Sequence, residues 1–87
     1  MAGRRLILND GTELENGEAG YSDNTLWCYV PGISMQQAAA LFFDREKTAK
    51  IVFQYGEMQD VYEGYTDPAI IMQADNQVKI ALKKPEA

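Results

Sequence analysis

The chain has 87 residues, 46% of them hydrophobic, with 13 acidic residues against 8 basic ones, no histidine and a single cysteine. That length holds one domain around one core, and the apolar fraction excludes a disordered chain. A formal charge of −5 argues against holding a phosphate backbone, no apolar run approaches the roughly 18 residues of a membrane span, and Cys28 has no partner for an internal disulfide.

The opening MAGRRLILNDG turns polar too soon for a signal-peptide core, so the expectation is a soluble chain that starts here, with short frayed termini. RLILNDGTELE predicts a hairpin turning on Asp10-Gly11 as a two-residue type I′ loop, which sets Ile7 opposite Leu14. ENGEAGYSDN is dense in turn formers and reads as a loop, followed by a strand TLWCYV that Pro31-Gly32 stops.

ISMQQAAALFFD is the one helix the pattern predicts, over about residues 34–44. Ser34 and Gln37 have the spacing of a capping box. Met35, Ala38, Ala39 and Phe42 share a stripe that Leu41 and Phe43 widen, and the three alanines suit a helix laid closely on a sheet.

KIVFQYGEMQDVYE predicts a hairpin around Gly56-Glu57, with glycine where a type II′ turn prefers it. One face then pairs Tyr55 with Met58, Phe53 with Asp60 and Ile51 with Tyr62. The other pairs Gln54 with Gln59, Val52 with Val61, and Lys50 with Glu63 as an ion pair. Strand side chains alternate, so Asp60 and Glu63 point to opposite faces, and Glu57 and Glu63 stand roughly 20 Å apart, too far for paired-carboxylate chemistry. Asp60, set among Phe53, Met58 and Tyr62, must reach the sheet rim, find a hydrogen bond or be covered by another subunit. QADNQVKIALKK predicts a last hairpin around Asp75-Asn76, with Val78, Ile80 and Leu82 inward and Ile70 and Met72 on the outer face beside Lys79 and Ala81. Apolar residues on both faces imply that a neighbouring chain covers the far side.

The expected architecture is therefore α+β: one short helix on a mostly antiparallel sheet of hairpins, in the order ββ-β-α-ββ-ββ, as a single domain over 1–87, with no internal repeat.

Catalytic signatures are lacking. Without histidine the commonest general base, zinc ligand and triad member is gone, and Cys28 between Trp27 and Tyr29 reads as an inert buried thiol. NDGTELENGE matches a calcium loop in composition alone, without the alternating ligands or the closing glutamate, and the glycines form no nucleotide-binding pattern. No cofactor and no metal site is expected, and the chain reads as a non-enzyme.

The segment from Ser34 to Lys84, with its capped helix SMQQAAALFFD, hairpin IVFQYGEMQDVYEGYT and closing DNQVKIALKK, resembles small proteins encoded in phages and prophages of Gram-positive bacteria, near tail genes. The resemblance implies a virion or prophage accessory protein that acts by assembly, either attached to the particle or in the host cytoplasm, and it brings no catalytic residues. The expected partner is a protein, a second copy included, with neither nucleic acid nor membrane. Asp60, Tyr62, Tyr65, Ile70 and Met72 form the candidate interaction surface. The alternative is a small binding module for a sugar, peptide or cation, which requires Asp60, Tyr62 and Tyr65 to converge on one exposed pocket.

Overall fold

A computed structural model describes residues 3–72 and 78–85. Its turns set the strand registers. At Gly56 the backbone takes φ +62° while Glu57 stays outside the left-handed region, as a type II′ loop requires, and strands β5 (Lys50–Tyr55) and β6 (Met58–Glu63) pair in the expected register, from Lys50 opposite Glu63 to Tyr55 opposite Met58.

The first hairpin differs. Strands β1 (Arg4–Ile7) and β2 (Glu13–Glu15) place Leu6, not Ile7, opposite Leu14. The loop has three residues: Gly11 donates to the Leu8 carbonyl at 2.9 Å, Leu8 donates to the Thr12 carbonyl at 2.8 Å, and of the loop residues Gly11 takes a positive φ, +90°. That is a type I turn completed by a left-handed glycine, and the extra residue moves the register by one. The type I′ turn lies instead at Asp23-Asn24, with φ of +53° and +60°, and it joins β3 (Glu18–Ser22) to β4 (Thr25–Val30). The expected loop over residues 15–24 is thus largely a strand.

After β4, Ser34 caps α1 (Met35–Phe42) with both halves of the capping box present. Ala38 and Phe42 are buried, whereas Met35 and Phe43, expected on the buried stripe, stand exposed. Asp44 caps a further short helix, α2 (Arg45–Thr48), whose last carbonyls accept from the Asn9 backbone and side chain at 2.9 and 3.0 Å.

Strands β7 (Asp67–Met72) and β8 (Val78–Lys83) pair Ile70 with Ile80 and Met72 with Val78. This is one residue from the expected register. It turns Ile70 toward the core and leaves Ile71 outward; the expected turn at Asp75-Asn76 lies outside the described residues. Pro68 is tolerated because β7 is an edge strand.

The eight strands form two antiparallel sheets, in the orders β2-β1-β5-β6 and β3-β4-β8-β7, with α1 packed against β7 and β8. The fold is α+β with most of its weight in strands. One core joins the sheets: Leu6, Leu8 and Ile51 on one side, Leu26, Cys28, Val30, Val78, Ile80 and Leu82 on the other, with Ala38 and Phe42 from the helix. The chain passes between the sheets three times: from edge strand to edge strand at β2 to β3 and at β6 to β7, and between the central strands β4 and β5 by way of α1 and α2. At the first crossing, Asn16 has φ +61° and donates to the Arg4 carbonyl at 2.7 Å. A Cβ on Gly17 would come within 2.9 Å of Leu6 Cγ, so that crossing has room for glycine alone. An Arg4–Glu18 ion pair closes it.

These two orders hide a symmetry with no counterpart in the sequence. Exchanging β1–β4 for β5–β8 maps each sheet onto itself, so the halves are topologically equivalent, and each sheet draws two strands from either half.

Candidate functional site

Asp60 is half-buried on β6, and the Tyr55 hydroxyl donates to its Oδ2 at 3.2 Å across the hairpin. Two of the three outcomes open to it hold together: Asp60 lies at the rim of the sheet, half-exposed, and it accepts this hydrogen bond. Burial, and after it the Asp60 charge, pushes the Tyr55 and Tyr62 hydroxyls above the usual tyrosine range. Lys50 and Glu63 stand opposite one another without closing the expected ion pair; among the described residues the ion pairs are Arg4–Glu18 and Arg5–Glu13.

At Gly64, φ +84° releases the chain from β6, and its amide donates to the Ala49 carbonyl at 3.0 Å. Tyr65 follows and sits edge-on between two other rings, Tyr62 at 6.1 Å and Tyr21 at 6.0 Å. Tyr21 arrives from β3, where the Asp23-Asn24 turn sets it opposite Leu26, and its hydroxyl donates to Asn24 Oδ1 at 3.2 Å. The Lys84 ammonium lies 5.3 Å from the centre of the Tyr65 ring. Together Tyr21, Asp23, Asn24, Tyr65, Lys83 and Lys84 line a hollow of about 480 Å³. An adjoining hollow of about 530 Å³ shares both lysines and adds Arg45, Asp67 and Pro85.

The expected convergence is therefore partial. Tyr62 and Tyr65 pack edge to face, but of Asp60, Tyr62, Tyr65 and Ile70 only Tyr65 lines one of these hollows. Asp60 is engaged by Tyr55, Ile70 faces the core, and Met72 lies on β7 in the other sheet. The charge lining the hollow comes mainly from lysine, the wrong sign for the expected cation ligand.

The outer side of the β3-β4-β8-β7 sheet is the second feature. One cross-strand row reads Gly20, Trp27, Ala81, Ala69, and the next reads Glu18, Tyr29, Lys79, Ile71. Lys79 Nζ stands 4.5 Å from the Trp27 ring centre, and Ile71 is 42% exposed. The apolar outer row of this sheet is carried by Ile71, Ala69 and Trp27, while Ile70 is turned to the core.

Neither feature places a nucleophile. Cys28 is fully buried, and desolvation pushes its thiol up to about 12, so it is protonated at neutral pH. Among the described residues no group of three or more cysteine or acidic side chains gathers as a metal site, and no helix is long and apolar enough to cross a membrane. Compared with known protein families, curated proteins and solved structures, the chain matches none of them.

Proposed function

We propose that this chain is a non-enzymatic assembly module that pairs with a second copy of itself through the outer side of the β3-β4-β8-β7 sheet, as an accessory protein of a phage or prophage would. The observation that carries this reading is the outward row Gly20, Trp27, Ala81, Ala69, in which Gly20 and Ala69 are exposed, Trp27 is half-buried and Ala81 is sheltered between its neighbours, with the exposed Ile71 beside it. Small residues flank one large aromatic ring there, so a facing sheet finds both a knob and the space for one. The charges on this face also balance. Glu18 and Asp67 stand against Lys79 and Lys83, while the whole chain carries −5. A two-fold axis midway between β4 and β8 and parallel to them sets Trp27 of one copy over Ala81 of the other and Gly20 over Ala69, with Ile71 inside the contact, which makes the face self-complementary. A domain of this size buries a small share of its surface alone, and pairing adds to it.

The non-enzymatic part rests on the absence of histidine, the protonated and buried Cys28, and the opposite orientation of Asp60 and Glu63 on β6. The phage association rests on the sequence resemblance of residues 34–84.

Light scattering across a concentration series tests the pairing. The expected result is a dimer that Ile71→Glu converts to monomer, raising the dissociation constant by about thirtyfold or more. Val61→Glu, an exposed position on the outer side of the other sheet, leaves the dimer intact. A wild-type chain that scatters as a monomer throughout, or a dimer lost on Val61→Glu instead, overturns the reading.

A further inference from the structure

We propose that Lys83 and Lys84, where β8 ends, form an oxyanion site for a small molecule that carries a phosphate or carboxylate group and lies against Tyr21 and Tyr65. The chain is acidic overall, yet Arg45, Lys83 and Lys84 converge on two adjoining hollows that hold two carboxylates, Asp23 and Asp67. None of these five groups belongs to an ion pair among the described residues, although Asp67 is the direct cross-strand neighbour of Lys83. Three cations against two carboxylates leave one positive charge in excess around these hollows, which a bound oxyanion meets with charge-assisted hydrogen bonds.

The support behind the lysines is rigid. Leu82, the residue before them, is fully buried, and β8 is a central strand with neighbours on both sides. The tyrosine side of the hollow is equally fixed, because Tyr65 is wedged between Tyr62 and Tyr21, and Tyr21 is tied to Asn24. Its volume of about 480 Å³ falls in the range of small-molecule sites. A polyanionic polymer would run over the acidic surface beyond, so the occupant is small. Ring edges and amide groups suit a hydroxylated or planar body attached to the anion.

The test is an amide-shift titration of isotope-labelled protein at low ionic strength with inorganic phosphate, citrate and glucose 6-phosphate, and with glucose as the neutral control. Saturable shifts at Tyr65, Lys83 and Lys84 are expected with the anions and none with glucose, and the tighter of phosphate and citrate identifies the head group. Lys83→Gln combined with Lys84→Gln should weaken binding about tenfold or more, and added salt should weaken it further. Both side chains are exposed, so the variant keeps its fold; Lys50→Gln, away from the site, keeps full affinity. The same titration on the Ile71→Glu chain gives the same shifts, which separates this site from self-association. Absence of saturable shifts well above the millimolar range, or unaltered binding by the double variant, overturns the proposal.

Discussion

The two sheets share one core but differ in how far it extends along them. On the β3-β4-β8-β7 sheet, the inward residues of both central strands, Leu26, Cys28, Val30, Val78, Ile80 and Leu82, are all buried. On the β2-β1-β5-β6 sheet, burial is complete at Leu6 and Ile51, falls to partial at Phe53, Tyr55 and Asp60, and ends at Met58, which is 62% exposed. The far half of the β5–β6 hairpin projects past the core. Composition follows this gradient: aliphatic residues where both sheets and α1 enclose the space, and tyrosine with aspartate where water returns. An acid on an apolar strand face therefore marks the limit of the core here, and the Tyr55–Asp60 hydrogen bond sits on that limit.

Truncations give the largest test of this contrast. Ile80→Ala should cost about 2–5 kcal/mol by denaturant melting, whereas Met58→Ala, on the projecting hairpin, should stay within about 0.5 kcal/mol. Equal costs would mean that the hairpin tip is as enclosed as the other sheet.

Alkaline titration separates the sheets by chemistry. The buried Cys28 thiol has a folded pKa of about 12 against an ordinary value of 9.0, so its stabilising contribution is complete below pH 9 and is lost as pH rises toward 12. The expected slope is a loss of about 1.4 kcal/mol per pH unit in that window. Tyr55 and Tyr62, raised from 10.0, act with the same sign above pH 10 and steepen the fall. Cys28→Ala should leave the tyrosine phase alone, read as a melting temperature that stays level until about pH 10. The smallest effect is expected at the core's limit: Tyr55→Phe removes a hydrogen bond to a carboxylate that water can reach, at a cost of about 1 kcal/mol or less.

How much of the fold was legible in the residues depended on the turns. Gly56-Glu57 specifies a two-residue loop, and every β5–β6 pair came from it, including the opposed directions of Asp60 and Glu63. Asp10-Gly11 carries the same kind of signal, but Leu8 and Thr12 close a longer loop around it, and one added residue exchanged Ile7 for Leu6 opposite Leu14. The same single step in the last hairpin reversed Ile70 and Ile71 and moved the apolar outer row onto different residues. Strand β3 was hidden because Gly17, Gly20 and Asn16 resemble loop chemistry, while Gly17 is there to let the chain pass Leu6. The helix was readable through Ser34 and Gln37, whose contacts are local. The lysine hollow was not, since bringing Tyr21 to Lys84 requires knowing that β4 lies beside β8.

That adjacency, with its twin between β1 and β5, interleaves the two halves of the chain, and it bears on how the protein emerges during synthesis. When Val30 has been made, β1 and β4 each lack a flanking strand that is encoded far downstream, so one sheet can close only after β6 ends at Glu63 and the other only after β8 ends at Lys83. Contacts so distant along the chain predict slow, late acquisition of structure. They also allow the leading segment of one molecule to accept the trailing segment of another, with residues 43–49 as the natural hinge for that exchange.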